Sequence, residues 1–147
     1  MITFFDASAL VKRYVDESGT PAIRALFGAP RLRLAVSRLT AVEVPAALAR
    51  RARQGDLPER VARACAKHLA SDLTEMHVVE PRGTLIEQAA DLVWRHDLRA
   101  YDALQLASAL YLLREVGAAT RFVCADRALT VVAVREGLRA LAVGTPA

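Results

Sequence analysis

The sequence predicts an α/β fold: a mostly parallel central sheet of four to five strands with helices on both faces. Two observations predict it. Short β-branched or aromatic runs alternate with longer segments at helical spacing. Those runs are also nearly continuous in apolar residues, as strands covered on both faces must be. At 147 residues the chain has the length of one domain, so 1–147 reads as a single domain.

Ile2-Thr3-Phe4-Phe5 is a short buried strand that stops at Asp6. After Ser8, the segment Ala9 to Val15 has helical spacing. Gly19-Thr20-Pro21 breaks it. Pro21 suits a first helical position, Thr20 serves as its cap, and the helix runs to about Phe27. Arg33 to Ser37 is the second strand. A helix follows from about Ala41 to Arg53, in which Pro45 fits only near the start, where no i−4 hydrogen bond is lost. Pro58 opens the next helix, to about Leu73, and Met76 to Glu80 is the third strand.

Thr84 to His96 is helical, with Leu85, Ala89, Leu92 and Val93 as its apolar stripe. The next helix opens at Arg99-Ala100-Tyr101-Asp102 and runs to about Gly117. From Tyr101 to Leu113 only Asp102, Gln105 and Ser108 are polar, and their spacing makes one slanting stripe. A helix apolar on most sides is buried on most sides. Asp102 therefore stands at the mouth of a core element and needs a cation, donors or water. Tyr101 reads as a core residue. Arg121 to Cys124 is the fourth strand, Arg127 to Glu136 a helix, and Leu138 to Val143 the last strand; 144–147 reads as a frayed tail.

Bulk properties exclude several classes. The two cysteines, Cys65 and Cys124, are too few and too distant for a disulfide framework and indicate a reducing compartment. A membrane span needs ~20 apolar residues, and Gln105 and Ser108 break the best run. Asp6 interrupts the apolar start, so no signal peptide is read, and a cytoplasmic protein is expected. The net charge of +4 is compatible with a polyanionic partner.

In open parallel sheets, ligands bind outside the carboxyl ends of the strands. Asp6 and Asp126 each lie just past such an end, Glu43 lies in the first turn after the second strand, and Asp102 opens the central helix. Carboxylates packed together either share protons or bind a hard cation. Oxygen ligands without His or Cys favour Mg²⁺ or Mn²⁺ over zinc. Three of the acids also have a plain structural alternative, whereas Asp6 ends a buried strand with no adjacent Lys or Arg to pair with it. Thr40-Ala41-Val42-Glu43 fits a capping box, Asp126 fits the cap of the helix after it, and Asp102 fits a first-turn acid on the helix dipole.

Four segments in order resemble the motifs of a PIN domain of the VapC toxin type: Asp6-Ala7-Ser8-Ala9-Leu10-Val11-Lys12, Ser37-Arg38-Leu39-Thr40-Ala41-Val42-Glu43-Val44, Arg99 to Ala107, and Cys124-Ala125-Asp126-Arg127-Ala128-Leu129. The resemblance implies a PIN-like three-layer fold and a metal-dependent endoribonuclease toxin. Its four acids, here Asp6, Glu43, Asp102 and Asp126, hold one or two Mg²⁺ or Mn²⁺ ions and act in catalysis, and Ser8 supports the first acid. Cys124 replaces a frequent Thr, and Gln105 a frequent His. The implied reaction is hydrolysis of RNA to 5′-phosphate and 3′-hydroxyl ends. The resemblance also implies a homodimer held by a cognate VapB-type antitoxin, whose tail lies in a groove that Leu10, Tyr14, Leu26 and Phe27 either line or leave for the core.

Phosphate binding beside acids needs basic groups. Arg99 and Arg127 are the nearest in sequence; Lys12, Arg13, Arg50, Arg51 and Arg53 also follow the acids. His68, His77 and His96 show no relation to the acids. A receiver-type or dehalogenase-type phosphoryl site fits poorly: one wants paired acids and a late lysine, the other a second Asp where Ser8 stands. A non-catalytic PIN-like binding module for RNA or protein is the alternative.

Overall fold

The computed structural model describes residues 1–144; of the expected tail, 145–147 lie outside that range. Five strands form one sheet: β1 (Ile2–Phe5), β2 (Arg33–Ser37), β3 (His77–Val79), β4 (Thr120–Cys124) and β5 (Arg139–Ala142). All neighbours pair in parallel, in the order β3-β2-β1-β4-β5. Among the described residues, seven α-helices cover it: α1 (Ala7–Leu10), α2 (Thr20–Gly28), α3 (Thr40–Arg53), α4 (Glu59–Glu75), α5 (Gly83–His96), α6 (Ala100–Arg114) and α7 (Arg127–Arg135).

The strand alternation divides the core. Phe4 and Phe122, in register on β1 and β4, stack with ring centroids 5.9 Å apart beneath α5, α6 and α7. Phe5 and Val123, the next pair in register, face the opposite way into α1 to α4. Every residue of β1 is buried, as a central strand covered on both faces requires. α6 contributes Ala103, Gln105, Leu106, Ala107, Ser108, Ala109, Leu110 and Leu112 to the interior, so its near-uniform apolarity reflects burial on most sides.

The order of the strands positions the site. The chain moves from β1 outward to β2 and β3, then returns to the other side of β1 for β4 and β5. The reversal leaves a crevice between the carboxyl ends of β1 and β4, where ligands of such sheets bind. Asp6 and Asp126 follow those two strands.

Some local expectations are corrected. The α-helix after Asp6 starts at Ala7, and Val11–Arg13 tighten into a 3₁₀ turn, because Arg13 and Tyr14 turn aside to bond Asp72 of α4. Thr20 is not the cap of α2. Gly19 holds that position at φ 94°, while Thr20 Oγ1 accepts from the Glu17 amide and donates to the Val15 carbonyl. α6 stops at Arg114, short of Gly117. Gly144 is packed rather than frayed, against the backbone of Ser18 and Gly19. Tyr101 is 61% exposed and is not a core residue.

Candidate active site

Asp6 is fixed first. It caps α1: its Oδ2 accepts from the Ser8 amide at 3.0 Å and from the Ser8 hydroxyl. Ser8 Oγ in turn accepts from the Ala125 amide at 3.0 Å, which ties the end of β1 to the loop after β4. The Asp6 backbone amide donates to the Val123 carbonyl at 2.9 Å. Cys124 Sγ lies 3.7 Å from Asp6 Oδ2 and accepts the Asp126 amide at 3.2 Å. The thiol thus takes a hydrogen bond that a hydroxyl would otherwise accept. Burial, then the Asp6 charge, push its own ionisation up, so it stays a neutral thiol.

Glu43 does not close a capping box. Leu39 is the N-cap residue of α3 and makes no side-chain cap bond. Glu43 Oε1 instead accepts from Gln105 Nε2 of α6 at 3.2 Å, and the same amide nitrogen lies 3.2 Å from Thr40 Oγ1. Gln105 is fully buried, and among the described residues its Oε1 has no hydrogen-bond partner. Asp126 does cap its helix: Oδ1 accepts from Ala128 at 2.8 Å and Leu129 at 3.2 Å. Asp102 sits in the first turn of α6, half-buried.

The electrostatics join the four acids. Burial raises the Asp6 carboxyl despite the bonds from Ser8, and Asp102 raises it further. Burial also lifts Glu43 to about 7; Gln105 opposes this, while Asp6 and Asp102 add to it. Asp102 is raised by burial and then by Asp126, against the pull of Arg99. Each acid therefore repels at least one other across four elements of the fold. The carboxylates are close enough to interact, yet among the described residues no three His, Cys, Asp or Glu side chains converge into a preformed metal cage. An oxygen-only set carrying mutually repelling charge fits a hard dication better than a soft one.

A cleft of about 850 Å³ opens beside this set, and Ser8, Glu17, Ser18, Glu43, Arg50, Arg51 and Arg99 are among the residues that line it. Of the two arginines singled out by proximity in sequence, Arg99 lines the cleft; Arg127 is exposed at the start of α7 and is not among the lining residues. Arg50 lines the cleft too, although proximity in sequence ranks it below Arg99 and Arg127. It lies two helical turns beyond Glu43, a spacing that returns it to the same face of α3. Lys12 is buried and bonds Glu17 at 3.1 Å; Arg51 bonds the other Glu17 oxygen. Arg13 bonds Asp72 and lies 3.9 Å over the Phe27 ring. Arg53 lines a separate groove between α3 and α4. Leu10, Tyr14, Leu26 and Phe27 belong to the core or pack against it. His68 and His96 serve Asp72 and Glu136, away from the acids.

Known proteins share this architecture. The PIN domain family matches residues 3–136. Ribonuclease VapC45 and ribonuclease VapC49 of Mycobacterium tuberculosis strains are each 38% identical over 109 residues, covering 74% of this chain and 75% of the relative. The fold is similar to M. tuberculosis VapC20, a toxin that cleaves the sarcin-ricin loop, with a TM-score of 0.67 at 22% identity over 88% of this chain and 94% of that one. It is also similar to VapBC2 from Rickettsia felis, with a TM-score of 0.64 at 11% identity over 97% and 99% of the two chains. Four acids at the switch point of a parallel sheet, a family match over most of the chain and relatives at 38% identity lead to one conclusion: the chain belongs to the PIN-domain family, among the VapC-type ribonucleases.

Proposed function

We propose that the protein is a divalent-metal-dependent endoribonuclease toxin, neutralised by a cognate VapB-type antitoxin. One observation carries the reading. Asp6, Glu43, Asp102 and Asp126, from four separate elements, repel one another beside a cleft that also presents Arg50 and Arg99. Acids alone would expel RNA; arginines at the rim offset that repulsion.

Asp6, Glu43, Asp102 and Asp126 would hold one or two Mg²⁺ or Mn²⁺ ions. A bound ion of this kind neutralises a phosphodiester and lowers the pKa of a water. The chain's own groups do the rest. Ser8 holds the Asp6 carboxylate in place from two donors, and Gln105 holds Glu43. A carboxylate of the set orients the attacking water and takes its proton. Arg99 and Arg50 seat the backbone phosphates. The products expected are 5′-phosphate and 3′-hydroxyl ends.

The partners belong to the same reading. Toxin–antitoxin complexes are among the similar folds, including one from Klebsiella pneumoniae. An antitoxin tail fits the groove of about 390 Å³ between α3 and α4, floored by Leu48, Ala52, Ala62 and Ala66. A homodimer is proposed too, with Ile86 and Trp94 of α5, 45% and 90% exposed, as its available apolar stripe. A cytoplasmic location accords with the chain: among the described residues no helix is long and apolar enough to cross a membrane.

The test is cleavage of structured RNA by antitoxin-free protein with Mn²⁺ or Mg²⁺ and with EDTA, beside Asp6→Asn and Asp102→Asn. Cutting abolished by EDTA and by both substitutions supports the reading. Cutting that survives them removes it. A non-catalytic PIN-like module is the second reading, favoured by the capping bonds of Asp6 and Asp126. Mn²⁺ binding without cleavage of any RNA would select it.

A further inference from the structure

We propose that Tyr101 is a base-stacking residue for the RNA substrate, so that the site engages an unpaired base as well as the backbone. This rests on the ribonuclease reading above and deepens it. Tyr101 is the second residue of α6, one position before Asp102 and two after Arg99, which lines the cleft. Its ring is 61% exposed. Among the described residues its hydroxyl has no hydrogen bond, and its ring has no aromatic or cationic neighbour.

Helical spacing explains why the ring is bare. Tyr101, Leu104, Ser108 and Tyr111 follow one stripe of α6. Leu104 and Tyr111 pack partly onto the core, and Ser108 is buried; at Tyr101 the cover ends. Side chains in a helix lean toward its N-terminus, so the ring tilts toward the Arg99 end of α6. Phe4, Phe5 and Phe122 are buried, and Tyr14 and Phe27 pack against the core beneath α1 to α4. Tyr101 is thus the exposed aromatic nearest in sequence to any of the four acids.

The chemistry complements the cleft. Arginines take phosphates and carry no information about bases. Aromatic faces accept any base and are worth ~1–3 kcal/mol per stacked base. Tyr101 is not itself among the residues that line the cleft; next in sequence to Asp102 and two from Arg99, its ring would hold the unpaired nucleotide that flanks the phosphate meeting the acids. Such a residue positions substrate, and the recognised feature is an unpaired base rather than a duplex.

The test uses full-length protein carrying Asp6→Asn and a fluorescein-labelled hairpin RNA with an unpaired loop. The comparison probe is the same hairpin with abasic sites in the loop. Binding is read by fluorescence anisotropy. Tyr101→Leu should bind the intact hairpin about ten-fold more weakly, and Tyr101→Phe should bind as the parent does. The parent should lose a similar factor on the abasic hairpin, and Tyr101→Leu should lose little more, because the base and the ring act as one pair. Equal binding of the intact hairpin by parent and Tyr101→Leu overturns the inference, as does an abasic penalty undiminished in the variant. In otherwise wild-type protein, Tyr101→Leu should raise KM for cleavage more than it lowers kcat. If the wild type cuts RNA and Tyr101→Leu cuts identically, this inference alone falls. If the wild type neither binds nor cuts RNA, both readings fall. Conversion of a dimer to a monomer by Tyr101→Leu, without any base-dependent difference, would assign the ring to a contact between copies instead.

Discussion

Gln105 of α6 donates through Nε2 to Glu43 Oε1 of α3 at 3.2 Å, spanning two helices on opposite faces of the sheet. Glu43, like Asp102, caps no helix; the bond restrains it, and it lowers a carboxyl that burial raises. Groups that orient metal-binding carboxylates typically change affinity ten- to a hundred-fold when removed. Gln105→Leu is similar in size and keeps the helix apolar. It should weaken Mn²⁺ binding by about ten-fold with little change in melting temperature. Titration calorimetry beside a thermal melt checks this. Gln105→His, which keeps a donor, should retain most of the affinity.

Metal-free protein should lose stability as pH rises toward neutral. The native state holds Glu43 at about 7 against an ordinary 4.5, so between those values it binds more protons than the unfolded chain. That contribution is whole below 4.5 and is lost as pH rises through about 7. Asp6 and Asp102 are raised as well and act with the same sign. Glu136 acts oppositely. Burial tends to raise it, but Arg95, His96 and Arg114 together lower it to about 2, so its stabilisation is present above 4.5 and lost on acidification. Melts in EDTA should show the melting temperature falling between about pH 5 and about pH 8. Glu43→Gln should flatten that fall, and an unchanged slope would contradict the site electrostatics.

Divalent metal should reverse this cost. Mn²⁺ that binds the folded acids raises the melting temperature by mass action. Asp102 has the Coulomb repulsion of Asp126 and no hydrogen-bond partner in its favour among the described residues. Asp102→Asn should therefore raise the metal-free melting temperature by about 2–4 °C, corresponding to about 1 kcal/mol for a chain this long. It should also diminish the rise caused by Mn²⁺. Differential scanning calorimetry with and without EDTA reads both effects.

The sheet was legible because its signals are local. Ile2–Phe5 and Arg33–Ser37 carry their strand character in their own residues, and the acids that end strands follow from the same pattern. The pairings that complete the site are not local. Gln105 meets Glu43 across 62 positions, and Ser8 meets the Ala125 amide across 117. No periodicity announces them. Tyr101 was misread because an apolar run gives no indication of where neighbouring elements stop covering it. Lys12 illustrates the converse: its buried place depends on Glu17, which also binds Arg51 34 positions further on. Asp126 illustrates a third limit. One carboxylate oxygen caps α7 while its charge acts on Asp102, so capping and electrostatic readings of the residue are compatible.

Glu17 joins Lys12 to Arg51 at the wall of the cleft. The Lys12 side chain is 1% exposed, and those of Glu17 and Arg51 are 15% and 17% exposed. Removing one member of a buried ion pair is far costlier than removing both, since the remaining charge stays desolvated. Glu17→Ala should destabilise the fold by about 3 kcal/mol, because it takes one shared carboxylate from both Lys12 and Arg51. Urea denaturation gives the value, and a loss below about 1 kcal/mol would mean that these ion pairs contribute little to the fold.

The same wall depends on a close backbone approach from the far end of the chain. Gly144 has φ 67°, and a Cβ there would lie 2.2 Å from the Ser18 carbonyl oxygen. Gly19, at φ 94°, is also close to Val143 and Gly144, though less tightly, with backbone atoms 3.0 Å from its own missing Cβ. Neither obstacle is a flexible side-chain end, so backbone must move. Gly144→Ala should therefore cost ~1–3 kcal/mol through strain at a positive φ. It should also shift the Glu17–Ser18 segment that lines the cleft, so RNA binding should weaken even where the protein remains folded. Gly28→Ala is the matched control, since nothing lies within 4 Å of its missing Cβ. Urea melts and hairpin binding of the two variants, both in the Asp6→Asn background, separate the effects. If Gly144→Ala destabilises the fold but binds RNA as tightly as Gly28→Ala, the contact serves stability alone; if both variants match the parent, the close approach is absent in solution.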